Sequence, residues 1–137
     1  DEGDVSVMSF FWSPDSNKLL YLTSPTSDAK LYQKIRGMAL RCRWNVLDMR
    51  TGKTKTFGSF SPSATILEDY IPKFDLYSRS MTPWSPDSNS FCYAGERRVL
   101  TEQGFAEVLD GGWVQDLRDD EPKLVLEGAQ VVSWSPC

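Results

Sequence analysis

The sequence predicts an all-β fold assembled from four-stranded antiparallel units, and three observations carry that prediction. The hexapeptide Trp-Ser-Pro-Asp-Ser-Asn occurs at Trp12–Asn17 and again at Trp84–Asn89, and Trp134–Pro136 opens a third copy. A second landmark follows each full copy: VLDMR at Val46–Arg50 and VQDLR at Val114–Arg118. Between the landmarks, short apolar and aromatic runs alternate with clusters of Pro, Asp, Ser, Asn and Gly, the composition of strands and tight turns.

In the first unit, VMSFFW reads as a strand, SPDSN as a turn and KLLYLT as the returning strand. Proline supplies the fixed φ wanted early in a tight turn, and Asp, Ser and Asn side chains hydrogen-bond the local backbone. CRWNVLDM reads as the third strand, TGK as the next turn and TKTFGSF as the fourth strand. The second unit repeats this with SMTPW, SFCYAG, GWVQDLR and KLVLEG, and QVVSWSP supplies the first strand of a third. Ser24 to Leu40 and Glu96 to Gly111 read as polar or mixed loops between second and third strands.

Four short antiparallel strands recurring about every 40 to 50 residues are the signature of a propeller blade. The spacing from Trp84 to Trp134 is 50 residues, whereas Trp12 to Trp84 spans 72 and so carries an insertion. The reading is a partial β-propeller with one short helical insertion: a first blade at 1–57, an interblade insertion at 58–80, a second blade at 81–128 and the first strand of a third blade at 129–137. Within the insertion, hydroxyl residues, a proline and following acids predict a short helix at Ala64–Ile71, ended by Pro72.

The copies WSPDSNKLLYL and WSPDSNSFCYA, each followed by V-x-D-[ML]-R, resemble the WD-like repeats of TolB-type β-propellers. That repeat also occurs in the propellers of prolyl-oligopeptidase-like proteins and tricorn-type proteases. In the family the motif typically reads Trp-Ser-Pro-Asp-Gly. Here Ser16 and Ser88 replace the glycine, which removes easy access to positive φ, and the following Asn17 and Asn89 are the residues that tolerate it better.

The repeat residues Trp12, Pro14, Asp15, Asp48, Trp84, Pro86, Asp87, Asp116 and Trp134 are read as structural. Asp15 and Asp87 could be imagined as paired acids, but an Asp at this turn position fixes the hairpin by accepting backbone N–H bonds. Asp116–Pro122 (DLRDDEP) has oxygen ligands for a hard cation such as calcium, without the ligand spacing of a known loop. A solvated turn is the stronger reading. With no histidine and no G-x-S-x-G element, the chain cannot build a Ser-His-Asp centre by itself. No cofactor or metal is expected.

A formal net charge of −4 argues against nucleic-acid binding, and the clusters Arg41/Arg43 and Arg97/Arg98 read as solvated edges. No apolar run reaches the roughly 20 residues of a membrane-spanning helix. Three widely spaced cysteines fit no disulfide framework or zinc knuckle, although a Cys42–Cys92 bridge stays open.

Ring closure takes about four to eight blades, and two blades keep many large apolar residues, among them Phe10, Phe11, Trp44, Phe91 and Trp113. Neighbours are therefore expected: further blades of a longer polypeptide, a protein partner, or other copies of the chain. The resemblance implies a non-catalytic interaction or scaffold module that belongs to a larger assembly. The alternative is the propeller region of a prolyl-oligopeptidase-like serine peptidase whose catalytic domain lies elsewhere. The aromatic residues Tyr70, Phe74 and Tyr77, with Arg79, mark a candidate partner surface on the insertion.

Overall fold

The computed structural model describes residues 4–34, 40–63, 67, 82–100, 102–129 and 132–134. The chain is mostly β and forms two four-stranded antiparallel sheets. Sheet one runs β1 (Val5–Trp12), β2 (Lys18–Pro25), β3 (Arg43–Asp48), β4 (Thr54–Thr56), and sheet two runs β5 (Ser61–Pro62), β6 (Ser90–Leu100), β7 (Ala106–Asp116), β8 (Lys123–Glu127). Each sheet pairs its strands in chain order.

The repeat fixes register as well as topology. In sheet one Leu19 pairs with Leu47 and Lys18 with Asp48, and in sheet two Phe91 pairs with Gln115 and Ser90 with Asp116. These are corresponding positions of the two copies. One face of sheet one carries Phe11, Leu20, Leu22, Trp44 and Val46, all buried. That inner face packs on the Phe91/Tyr93 face of sheet two, with Trp44 centred 5.8 Å from Phe91 and 6.3 Å from Tyr93, and Phe60 4.5 Å from Tyr93. Burial of each large apolar side chain contributes about 1.5–3 kcal/mol, so this aromatic layer is the principal cohesive element.

Phe91 and Tyr93 correspond to Leu19 and Tyr21, which lie on the outer face of sheet one. The inner face of one sheet therefore meets the outer-type face of the next, a head-to-tail contact that does not close on itself.

Four expectations are corrected. The segment read as a loop at Ser24–Leu40 contains helix α1 (Thr26–Lys34). Pro25 precedes it, Asp28 lies in its first turn and Lys34 in its last, an order that suits the helix dipole. Its weak apolar periodicity hid it in the sequence. Secondly, Glu96–Gly111 is largely ladder: β6 and β7 stay paired out to Leu100 and Ala106. Arg97 looked like loop composition, yet it alternates inward with Val99 while Glu96 and Arg98 face out.

Thirdly, the edge strand of sheet two is not drawn from SMTPW, of which Thr82–Trp84 are described. Trp84 makes an isolated bridge to Phe91, and the edge strand is Ser61–Pro62, drawn from the expected insertion and paired with Gly95 and Glu96. Lastly, positive φ falls on Ser16 and Ser88 themselves, both at 63°, and not on the asparagines. The predicted helix at Ala64–Ile71 lies outside the described residues except for Leu67, whose N–H donates to Ser63 O at 3.0 Å.

Candidate functional site

The two WSPDSN turns are built alike, bond for bond. In the first, Ser13 Oγ donates to Asp15 Oδ1 at 2.6 Å and accepts from Lys18 N–H at 3.0 Å, while Asn17 N–H donates to the same Asp15 oxygen at 2.9 Å. In the second, Ser85 Oγ donates to Asp87 Oδ1 at 2.6 Å and accepts from Ser90 N–H at 3.1 Å, and Asn89 N–H donates to Asp87 at 3.0 Å. The serine hydroxyl, then the asparagine N–H, hold both carboxyls below the ordinary 3.8. Pro14 and Pro86 sit exposed in these turns.

Asp48 and Asp116 do the same work one turn later. Arg50 N–H donates to Asp48 Oδ1 at 2.9 Å, and Arg118 N–H to Asp116 Oδ1 at 2.8 Å. The Arg118 side chain adds a two-pronged contact at 3.0 and 2.8 Å, which holds the Asp116 carboxyl well below the carboxylate range.

Where the two sheets meet, a polar clasp rims the aromatic layer. Trp84 Nε1–H donates to Phe11 O at 2.9 Å in a fully buried contact. Asp15 N–H donates to Ser88 Oγ at 3.2 Å, and Lys18 Nζ reaches Ser88 O at 3.4 Å. Lys55 Nζ donates to Leu117 O at 3.0 Å and Asp119 O at 3.2 Å, and lies 3.6 Å from the Asp120 carboxylate. The partly exposed Lys55 ammonium of sheet one thus faces the oxygens of the DLRDDEP turn. No group of three or more His, Cys, Asp or Glu side chains suited to a metal occurs among the described residues.

The outer face of sheet one offers the same residue types with no neighbouring sheet among the described residues. Trp12 is 51% exposed where Trp84 is 1%, and Phe10 and Met49 are exposed as well. Ser16 is exposed where Ser88 is buried. At the other end, Trp134 N–H donates to Thr82 O at 3.0 Å, which sets the third copy against the start of the second.

The candidate partner residues Tyr70, Phe74, Tyr77 and Arg79 lie outside the described residues. Lys18 and Lys55 were not singled out from the sequence, and Ser88 only as a turn residue, although Lys55 had a visible signal: it follows Asp48 at the interval by which Lys123 follows Asp116. Arg97 was also missed as a buried residue. It donates to Tyr93 Oη at 3.2 Å, pairs with Glu121 at 3.6 Å and lies over the Trp113 ring.

Cys42 and Cys92 are free buried thiols, so the bridge left open by the sequence is not formed. Burial pushes both up to about 12, which makes them poor nucleophiles. A polar cleft of about 860 Å³ lies at the start of α1, where Arg41 and Asp28 pair at 3.6 Å. No helix among the described residues is long and apolar enough to cross a membrane.

Comparison with protein-family models, with curated proteins and with solved structures finds no match.

Proposed function

We propose that the chain is a non-catalytic interaction module of the β-propeller type, two blades that serve as a scaffold within a larger assembly. The single observation that carries this reading is the head-to-tail contact in which the inner face of sheet one meets the opposite, outer-type face of sheet two. A contact of that kind uses up one face of each sheet and leaves the opposite face for a further neighbour. The aromatic outer face of sheet one supports the same conclusion, because soluble monomers seldom leave such a patch bare. The repeat aspartates Asp15, Asp48, Asp87 and Asp116 each accept a backbone N–H in a turn, and both described cysteines are buried thiols.

Sedimentation of the native assembly tests the proposal. The expected particle is heavier than the 15.5 kDa chain, with Trp12 shielded from solvent quenchers. A stable particle of the chain's own mass with Trp12 fully quenchable would overturn it.

A further inference from the structure

Among the described residues there is one closed joint and, on the outer face of sheet one, the corresponding half of an open one. In the closed joint Trp84, Ser88 and the Leu117–Glu121 turn of sheet two receive Phe11 O, Asp15 N–H and Lys55 of sheet one. Their counterparts in sheet one are Trp12, Ser16 and the Met49–Lys53 turn. Met49 O and Thr51 O accept no hydrogen bond among the described residues.

The two receiving turns have opposite charge. Sheet two presents Asp119, Asp120 and Glu121; Lys55 meets the Asp119 carbonyl and the Asp120 carboxylate, and Arg97 of sheet two pairs with Glu121. At the corresponding positions sheet one has Thr51, Gly52 and Lys53, with Arg50 beside them, its side chain 65% exposed and 3.9 Å from Asp48. A lysine arriving as Lys55 does would meet like charge, which costs affinity and specificity. This argues against a second copy of the chain as the occupant. Its free end would bring Lys123, the counterpart of Lys55, and Val132 already covers that end, close enough that a Cβ on Gly112 would strike it.

Building on the scaffold reading, we propose that the outer face of sheet one docks a four-stranded β-sheet from outside these 137 residues, whose fourth strand carries Asp or Glu opposite Arg50 and Lys53. Its apolar face covers Phe10, Trp12 and Tyr21, and its first strand offers a backbone carbonyl to the Trp12 indole.

The test uses tandem proteins in which residues 4–80 are repeated ahead of the full chain. In one the added copy keeps Lys55, and in the other it carries Lys55→Glu. The readout is the ¹⁹F resonance of 5-fluorotryptophan at Trp12 of the full chain, assigned with Trp12→Phe. The Lys55→Glu tandem is expected to shift this resonance and protect it from solvent, with a docked-to-free ratio at least about tenfold above the Lys55 tandem. High salt should narrow that gap. Equal docking of both tandems overturns the acidic-strand proposal and leaves the head-to-tail reading standing. Docking by neither overturns both. Self-association of the parent chain that buries Trp12 makes the occupant a second copy and overturns the proposal as well.

Discussion

Trp12 and Trp84 occupy the same place in two copies of one hexapeptide, yet Trp84 is 1% exposed and donates its indole N–H to Phe11 O, while Trp12 is 51% exposed. Local sequence cannot account for the difference, since the six residues are identical. The neighbour does: Trp84 has sheet one above it, and Trp12 stands on a face with no sheet against it among the described residues.

The two tryptophans should therefore respond differently to one substitution. Trp84→Phe removes a buried donor to Phe11 O and leaves a small void, and is expected to cost about 2 kcal/mol. Trp12→Phe should stay within about 0.5 kcal/mol in the isolated chain. Urea denaturation of both variants checks this, and equal losses would remove the distinction between closed and open faces.

Ser16 holds a φ of 63° without burial or a contact across the joint. An L-residue in this region costs about 1–2 kcal/mol, and glycine gives back part of that gain through its freer unfolded chain. Ser16→Gly is expected to stabilise the chain by about 0.5–1 kcal/mol. Ser88→Gly should gain less, because it also deletes the acceptor for Asp15 N–H. Thermal melts that rank Ser88→Gly above Ser16→Gly would count against this account.

Stability should fall on acidification below the ordinary carboxylate range. Asp15 and Asp87 are lowered first by the hydroxyls of Ser13 and Ser85, and Asp116 by the side chain of Arg118. A carboxyl whose folded pKa lies below its unfolded value contributes fully above the unfolded value and loses that contribution as pH falls through the folded one. The window thus opens near 3.8 and extends downward. With no histidine, no imidazole adds a second limb near neutrality. In denaturant midpoints from pH 7 to pH 2, the double variant Ser13→Ala/Ser85→Ala should start lower and show a shallower acid limb.

Gly95 lies where the Ser61–Pro62 edge strand crosses β6. A Cβ there would run into Ser61 O, the Phe60 ring and Pro62 Cα. Overpacking against backbone costs about 1–3 kcal/mol, so Gly95→Ala is expected to release the β5 pairing. Hydrogen exchange at Ser63 N–H, which donates to Ala94 O at 3.4 Å, reads that release directly. Unchanged protection there would argue against the edge strand.

The hairpin turns, the strand order of sheet one and the correspondence of the copies were legible in the chain, because each depends on the repeated motifs and the turns between them. Pro14, Asp15 and Asn17 bend the backbone wherever they occur together, and period-two alternation marks Leu20 and Leu22 for burial. Helix α1 was not legible, since its few apolar residues leave no stripe, and neither was the edge strand at Ser61–Pro62, two residues defined only by the β6 backbone beside them.

The tertiary structure alone decided which copy of each residue is covered. Burial of Trp84 and Ser88, the bond from Lys55 to Leu117 O and the contacts of the Trp44 ring with Phe91 and Tyr93 all join positions from different repeats. Such contacts follow from how two sheets face each other, and identical local sequences carry no record of that. The sequence determined the unit and its turns. The stacking of one unit on the next determined which tryptophan is core and which is surface.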